Sequence, residues 1–135
     1  RIVARFGETS GLPKPAELGI AAVAGPGVLD AAVRAVRGVT MAESVLDYVV
    51  RLVRSTRDSP DLSCGASPRA AVLLAGAARA RAALDGRNYA VPDDVKSLAV
   101  AVLRHRLLLS PAAEIEGKQV EVLVADLVEA TEAPR

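Results

Sequence analysis

An all-α fold, a small bundle of about five helices with a minor two-stranded β pairing, is what this chain predicts, and three observations predict it. Hydrophobic residues make up 51% of the 135 positions but aromatics only 2%, so Ala, Val and Leu have to build the core. Side chains that small favour closely packed helices. Apolar residues also recur at helical spacing in successive stretches of the chain, and start and stop signals (Pro at a first position, acids in a first turn, Gly at an end) bracket those stretches.

Residues 1–27 carry Gly7, Gly11, Pro13, Pro15, Gly19, Gly25, Pro26 and Gly27, a density of breakers that leaves room for short structured pieces only. They read as a Gly/Pro-rich linker ahead of one helical domain, 28–135. In a first helix Val28, Leu29, Ala32, Val33 and Val36 share one face, with Asp30, Arg34 and Arg37 opposite and Gly38 at the end. Thr40-Met41-Ala42-Glu43 has the spacing of a capping box, in which Thr40 and Glu43 each satisfy a free N–H at the start of a second helix. That helix carries Val45, Leu46, Val49, Val50 and Val53 as far as Arg57, and Asp58-Ser59-Pro60-Asp61 breaks it.

A third helix is expected from Pro68 to Leu84, closed by Gly86 as a left-handed cap, and its many alanines make it the helix others pack against. Pro92-Asp93-Asp94 opens a fourth, with acids complementing the dipole of its first turn and Val95, Leu98, Ala99, Val102 and Leu103 as its apolar face. Leu107-Leu108-Leu109 is a short apolar run suited to pair as a strand with Tyr89-Ala90-Val91. Val120, Leu123, Val124, Leu127 and Val128 suit a fifth helix. Val120, Val122 and Val124 also alternate as a strand would, and the helix is preferred because the pattern continues past Asp126.

A formal net charge of +1, from 17 Lys and Arg against 16 Asp and Glu, supplies no global attraction for nucleic acid or an anionic membrane. Arg79, Arg81, Arg87, Arg104 and Arg106 are numerous enough for a local patch, but no aromatic residues accompany them for base stacking, so they read as a solvated rim. No apolar run approaches the roughly 18–20 uncharged residues of a membrane span, and no signal-peptide pattern opens the chain. The expected partners therefore exclude nucleic acid and membrane, and the expected location is cytoplasmic. With Met41 as its one methionine and Arg1 as its first residue, the chain is expected to be a piece of a larger protein or one trimmed after translation.

Catalytic signatures are missing. The chain has no Gly-rich phosphate loop ending in Lys-Ser/Thr, no G-x-S-x-G elbow and no H-E-x-x-H. One cysteine, Cys64, and one histidine, His105, offer no internal disulfide and too few ligands for an ordinary metal site. Asp93 and Asp94 are explained by helix-start preferences. No catalytic residue and no metal ligand is assigned within the isolated chain.

Gly65-Ala66-Ser67-Pro68-Arg69-Ala70 is different, because it sets a cation where a helix disfavours one. Ser67 suits the N-cap and Pro68 the first helical position, which makes Arg69 the second helical residue. The dipole opposes positive charge there by roughly 0.3–1 kcal/mol, while the free N–H groups favour a bound anion such as phosphate. Arg69 reaching toward an anion is one reading; an exposed arginine lying along its own helix is the other.

That block, followed by Ala83-Leu84-Asp85-Gly86-Arg87-Asn88-Tyr89, Pro92-Asp93-Asp94-Val95-Lys96 and Val102-Leu103-Arg104-His105-Arg106-Leu107, resembles the C-terminal lid of MoxR-type AAA+ ATPases. Leu46-Asp47-Tyr48-Val49, Leu52-Val53-Arg54 and the tail Glu114-Ile115-Glu116-Gly117 fit as well, so the resemblance runs from about Val28 to Arg135. It implies a helical lid, residues 28–135, following a nucleotide-binding core, with 1–27 as a linker or core-proximal segment. It also implies that Arg69 is the sensor 2 arginine touching nucleotide phosphates, with Ser67 and Pro68 positioning it.

ATP and Mg2+ would then be bound by the full-length protein and neither tightly by this chain alone. The implied partners are the AAA+ core of the same protein, neighbouring subunits of a ring, and a von Willebrand factor A-domain protein, with chaperone-like remodelling or activation of clients as the activity. Val91 stands where the family often has Thr, removing a side-chain cap worth about 1 kcal/mol at the fourth helix. The alternative to the lid is a free-standing helical protein-interaction module without nucleotide binding.

Overall fold

The computed structural model describes residues 14–134 and divides the chain into two compact units, one ending at Ala32 and the other beginning at Val33. Of the 1–27 segment, residues 1–13 lie outside the described residues. In the first unit Pro15–Leu18 forms a 3-10 turn, which the chain leaves at Gly19 with a φ of 72°, left-handed backbone that glycine enters without steric cost. Helix α1 (Pro26–Gly38) starts earlier than the expected Val28, at a proline, and its Val28, Leu29 and Val33 stay exposed.

The second unit is built from α2 (Glu43–Asp58), α3 (Pro68–Leu84), α4 (Pro92–Leu103), α5 (Pro111–Ile115) and α6 (Val120–Ala130), with Arg104–Arg106 as a 3-10 turn. The all-α expectation holds, with α5 as a short helix that apolar periodicity does not reveal because it has barely more than one turn. Strands are minor. β1 (Thr40–Met41) runs parallel to β3 (Tyr89–Ala90), and β2 (Leu62–Cys64) runs antiparallel to β4 (Leu108–Leu109).

The core lies where α2, α3, α4 and α6 meet. Tyr48, Leu52 and Val53 of α2, Leu74 and Ala78 of α3, Val95, Ala99 and Leu103 of α4, and Val124 of α6 form one buried cluster. As its alanines predicted, α3 is central, packing most extensively on α4 and then on α2. A Cβ-sized face lets helix backbones approach closely, and that replaces the bulk that aromatic residues supply elsewhere. Gly86, with a φ of 75°, ends α3 in a Schellman motif: its N–H donates to the Ala83 carbonyl at 3.0 Å and the Arg87 N–H to the Ala82 carbonyl at 2.9 Å.

Two local expectations are corrected. Thr40 does not cap the second helix; it belongs to β1, its N–H and hydroxyl both donate to the Asn88 carbonyl (2.9 and 3.1 Å), and Ala42 takes the N-cap position. A long-range pairing has outcompeted a local cap. Leu108–Leu109 pairs with Leu62–Cys64 and not with Tyr89–Val91. The reason is length: α4 follows β3 almost at once and, as a straight helix of roughly 18 Å, carries the chain away from it before β4 begins. An extra residue on β2, Ser63, bulges the β2–β4 pair, and its hydroxyl donates to the Leu109 carbonyl at 2.8 Å.

Candidate functional site

The segment Gly65 to Arg69 joins β2 to α3, and the last turn of α2 holds it in place. Thr56 is buried, and its hydroxyl is used twice: it donates to the Val53 carbonyl at 2.7 Å and accepts the Ala66 N–H at 2.9 Å. The next residue, Arg57, donates from Nε to the Ala66 carbonyl oxygen at 2.7 Å. Both backbone polar groups of Ala66 are thus taken by α2. Gly65 allows this approach, because a Cβ there would lie 2.7 Å from both the Thr56 carbonyl oxygen and Arg57 Cα.

Beyond Ala66 the chain is extended at Ser67 (φ −77°, ψ 163°), and Pro68 takes the first helical position as expected. Ser67 occupies the N-cap position without a side-chain capping bond; its carbonyl oxygen accepts the Ala70 N–H at 2.9 Å. The cap is therefore a backbone one, and the anchoring comes from α2. Ala66 and Ala70 are fully buried, so the short segment between them can present outward only its middle, where Pro68 and the exposed Arg69 side chain sit. Beside them lies a mainly apolar cavity of about 340 Å3, lined by Val50, Val53, Arg54, Arg57, Pro68 and Val72.

Glycine positions in this unit give opposed expected results. Gly65→Ala should destabilise the fold by about 1–3 kcal/mol, since backbone atoms would have to move apart. Gly76→Ala, in the middle of α3 where a Cβ would meet nothing, should stabilise it by about 0.5–1 kcal/mol. Urea unfolding of the two variants checks both signs.

At the far end of α3, Arg81 and Arg87 are bound to acids. Arg87 makes a bidentate pair with Asp94, Nη2 to Oδ1 at 2.6 Å and Nη1 to Oδ2 at 2.9 Å, and also reaches Asp85 at 3.1 Å. These bonds hold the Asp94 carboxyl below its ordinary value against the opposing effect of burial, and the Asp94 carboxylate in turn holds Arg87 above its own. Asp94 also accepts the Val91 N–H at 2.8 Å, so α4 starts on a firm bond although Val91 offers no side-chain acceptor. The side-chain cap is missing there as expected, and the acid one turn on binds the Val91 N–H instead. Arg81 pairs with Asp85 at 3.3 Å and Arg104 with Glu121 at 3.4 Å. Much of the arginine rim is locally neutralised. A larger cavity of about 550 Å3 near Asp61 and Asp126 has its cation, Lys118, bound to Asp61 at 2.7 Å.

A family model described as AAA lid domain matches residues 54–127. The chain belongs to the AAA lid domain family. Over 101 residues it is 40% identical to YeaC of Bacillus subtilis (strain 168), a protein called uncharacterized, covering 75% of this chain and 32% of that one. Identity is 35% over 101 residues with Chaperone MoxR1 of Mycobacterium tuberculosis (strain H37Rv), covering 68% and 27%, and 42% over 66 residues with Protein MoxR of Methylorubrum extorquens, covering 49% and 18%. A crystal structure of a candidate ATPase from Cytophaga hutchinsonii superposes with a TM-score of 0.71 at 29% identity, covering 76% of this chain and 34% of that one. The lid is of the MoxR type, and the chain spans about a third or less of the length of these relatives.

In the lid, Ser67, Pro68 and Arg69 lie together at the start of α3, as their adjacency requires. Nothing in the linear sequence marks Thr56, Arg57 and the close approach of Gly65, which support them. A threonine near the end of an amphipathic helix is a weak signal, since its hydroxyl commonly bonds back to its own helix.

Proposed function

We propose that this lid reports nucleotide state in a MoxR-type AAA+ ATPase through Arg69, acting as its sensor 2 arginine, and couples ATP hydrolysis by the full-length protein to chaperone-like remodelling or activation of client proteins. The observation that carries this reading is the clamped start of α3, which presents Arg69 outward beside a helix N-terminus. A guanidinium there is repelled by the helix dipole, and a phosphate placed between them is attracted by both. Arginine suits the contact because it stays charged at all relevant pH and its planar fork matches phosphate oxygens. In this reading Ser67 and Pro68 set the angle at which Arg69 leaves the helix.

The residues fit a phosphate contact and no more. Among the described residues no group of three or more His, Cys, Asp or Glu is placed to hold a metal ion. The Mg2+ ligands and the phosphate loop therefore belong, in this proposal, to the AAA+ core of the same protein. Lid movement over that core then passes nucleotide state to neighbouring subunits of a ring, and a von Willebrand factor A-domain protein is a candidate client. No helix among the described residues is long and apolar enough to cross a membrane, and the proposal places the machine in the cytoplasm.

Arg69→Ala in the full-length protein tests the assignment. ATP turnover should fall about 10–100-fold while fold and ring assembly are kept. Unchanged turnover in a normally assembled protein would remove Arg69 from the site.

A further inference from the structure

We infer that Thr56 and Arg57, at the end of α2, are positioning residues for Arg69; the inference rests on the sensor reading proposed above. Both polar groups of the Ala66 backbone are bound by these two consecutive residues, the N–H by Thr56 Oγ1 at 2.9 Å and the carbonyl by Arg57 Nε at 2.7 Å. The start of α3 is thus referenced to the end of α2. Ser67 makes no side-chain capping bond that would define it independently.

Little lies between the clamp and Arg69 to absorb a displacement. Ala66 and Arg69 are separated by Ser67 and Pro68, and the proline ring fixes one of the intervening dihedrals. Buried Ala70 closes the first helical turn onto the Ser67 carbonyl. A shift at Ala66 must therefore appear at the Arg69 Cα, and a guanidinium contact to a phosphate is sensitive to errors of that size. Gly65 completes the arrangement by letting the loop backbone rest on Thr56 and Arg57 without a side chain between them.

The chemistry of each residue dictates its substitutions. Thr56 uses its hydroxyl as donor to Val53 and acceptor from Ala66, so Ser can replace it while Val, of the same shape, cannot. Arg57 acts on Ala66 through one N–H, which Met removes while keeping an unbranched stem.

The test is steady-state ATP hydrolysis by the full-length protein carrying Thr56→Val, Thr56→Ser, Arg57→Met or Arg69→Ala, and Thr56→Val combined with Arg69→Ala. Expected are a fall in kcat of about 10-fold for Thr56→Val and for Arg57→Met, recovery in Thr56→Ser, and a further loss of about twofold or less when Thr56→Val is added to Arg69→Ala. An unchanged kcat in Thr56→Val and Arg57→Met, with Arg69→Ala impaired, overturns the inference and leaves the sensor reading standing. So does an equal loss from Thr56→Val with and without Arg69, because the threonine then acts elsewhere. If Arg69→Ala itself has normal turnover, the sensor reading fails and the inference fails with it. Should Thr56→Val not assemble, Arg57→Met, on an exposed residue, decides the question under the same criteria.

Discussion

Leu74→Ala is expected to cost about 3–5 kcal/mol of folding stability, and Leu73→Ala about 1 kcal/mol or less. The two leucines are neighbours on α3 with opposite surroundings: Leu74 is fully buried, whereas Leu73 is 40% exposed. Leu74 is also the one large side chain that α3 sends fully into the core, its other buried positions being Ala70, Ala75, Ala78 and Ala82. Truncating it removes the one large side chain that α3 contributes to the buried cluster, so the cost falls in the upper part of the usual range. Urea unfolding of both variants measures the difference. Equal costs would mean that α3 turns a different face to α2 and α4.

Asp94→Ala is expected to cost about 2–3 kcal/mol, against about 0.5 kcal/mol for Asp93→Ala. Asp94 is buried and accepts three bonds, two from Arg87 and one from the Val91 N–H; Asp93 is exposed in the same helical turn. The cost stays below that of a deeply buried ion pair because Arg87 is 26% exposed and keeps bonds to Asp85 and to the Tyr89 carbonyl.

The pH dependence follows from the direction of the shift. The folded chain holds the Asp94 carboxyl below its ordinary value of 3.8, so its contribution is fully present above that value. As pH falls further the unfolded chain takes up the proton first, and the contribution drains away until folded Asp94 is protonated as well. The gap between the parent chain and Asp94→Ala should therefore be wide at about pH 7 and narrower at about pH 3. A gap that did not narrow would show that packing, and not the charge, accounts for the loss.

Helices α1, α2, α3, α4 and α6 were legible because the signals that make them are local. Val28 to Val36, Val45 to Val53 and Val95 to Leu103 each mark a face by spacing alone, and Pro68, Pro92 and Gly86 stand at the ends they specify. The order of motifs around Gly65 to Arg69 was enough to point to the lid family, and the match over residues 54–127 agrees. In α3 spacing carries no such signal. Its Ala and Leu residues run all around the helix, so periodicity could not tell Leu73 from Leu74.

What the linear order left open has one physical character: each case is a choice among equivalent local options that a distant partner makes. Thr40 had the spacing for a cap, yet Asn88 drew it into β1. Asp93 and Asp94 are chemically identical helix-start acids, and only the arrival of Arg87 around the turn from α3 distinguishes them. Leu108–Leu109 could pair with any free strand, and the length of α4 assigned it to Leu62–Cys64. The clamp of Thr56 and Arg57 on Ala66 exists because packing α2 against α3 brings the end of one to the start of the other. Local spacing and capping therefore determined where the helices lie and which residues could serve a site, whereas hydrogen-bond partners remote in sequence required the packed bundle to bring them within 3 Å of one another.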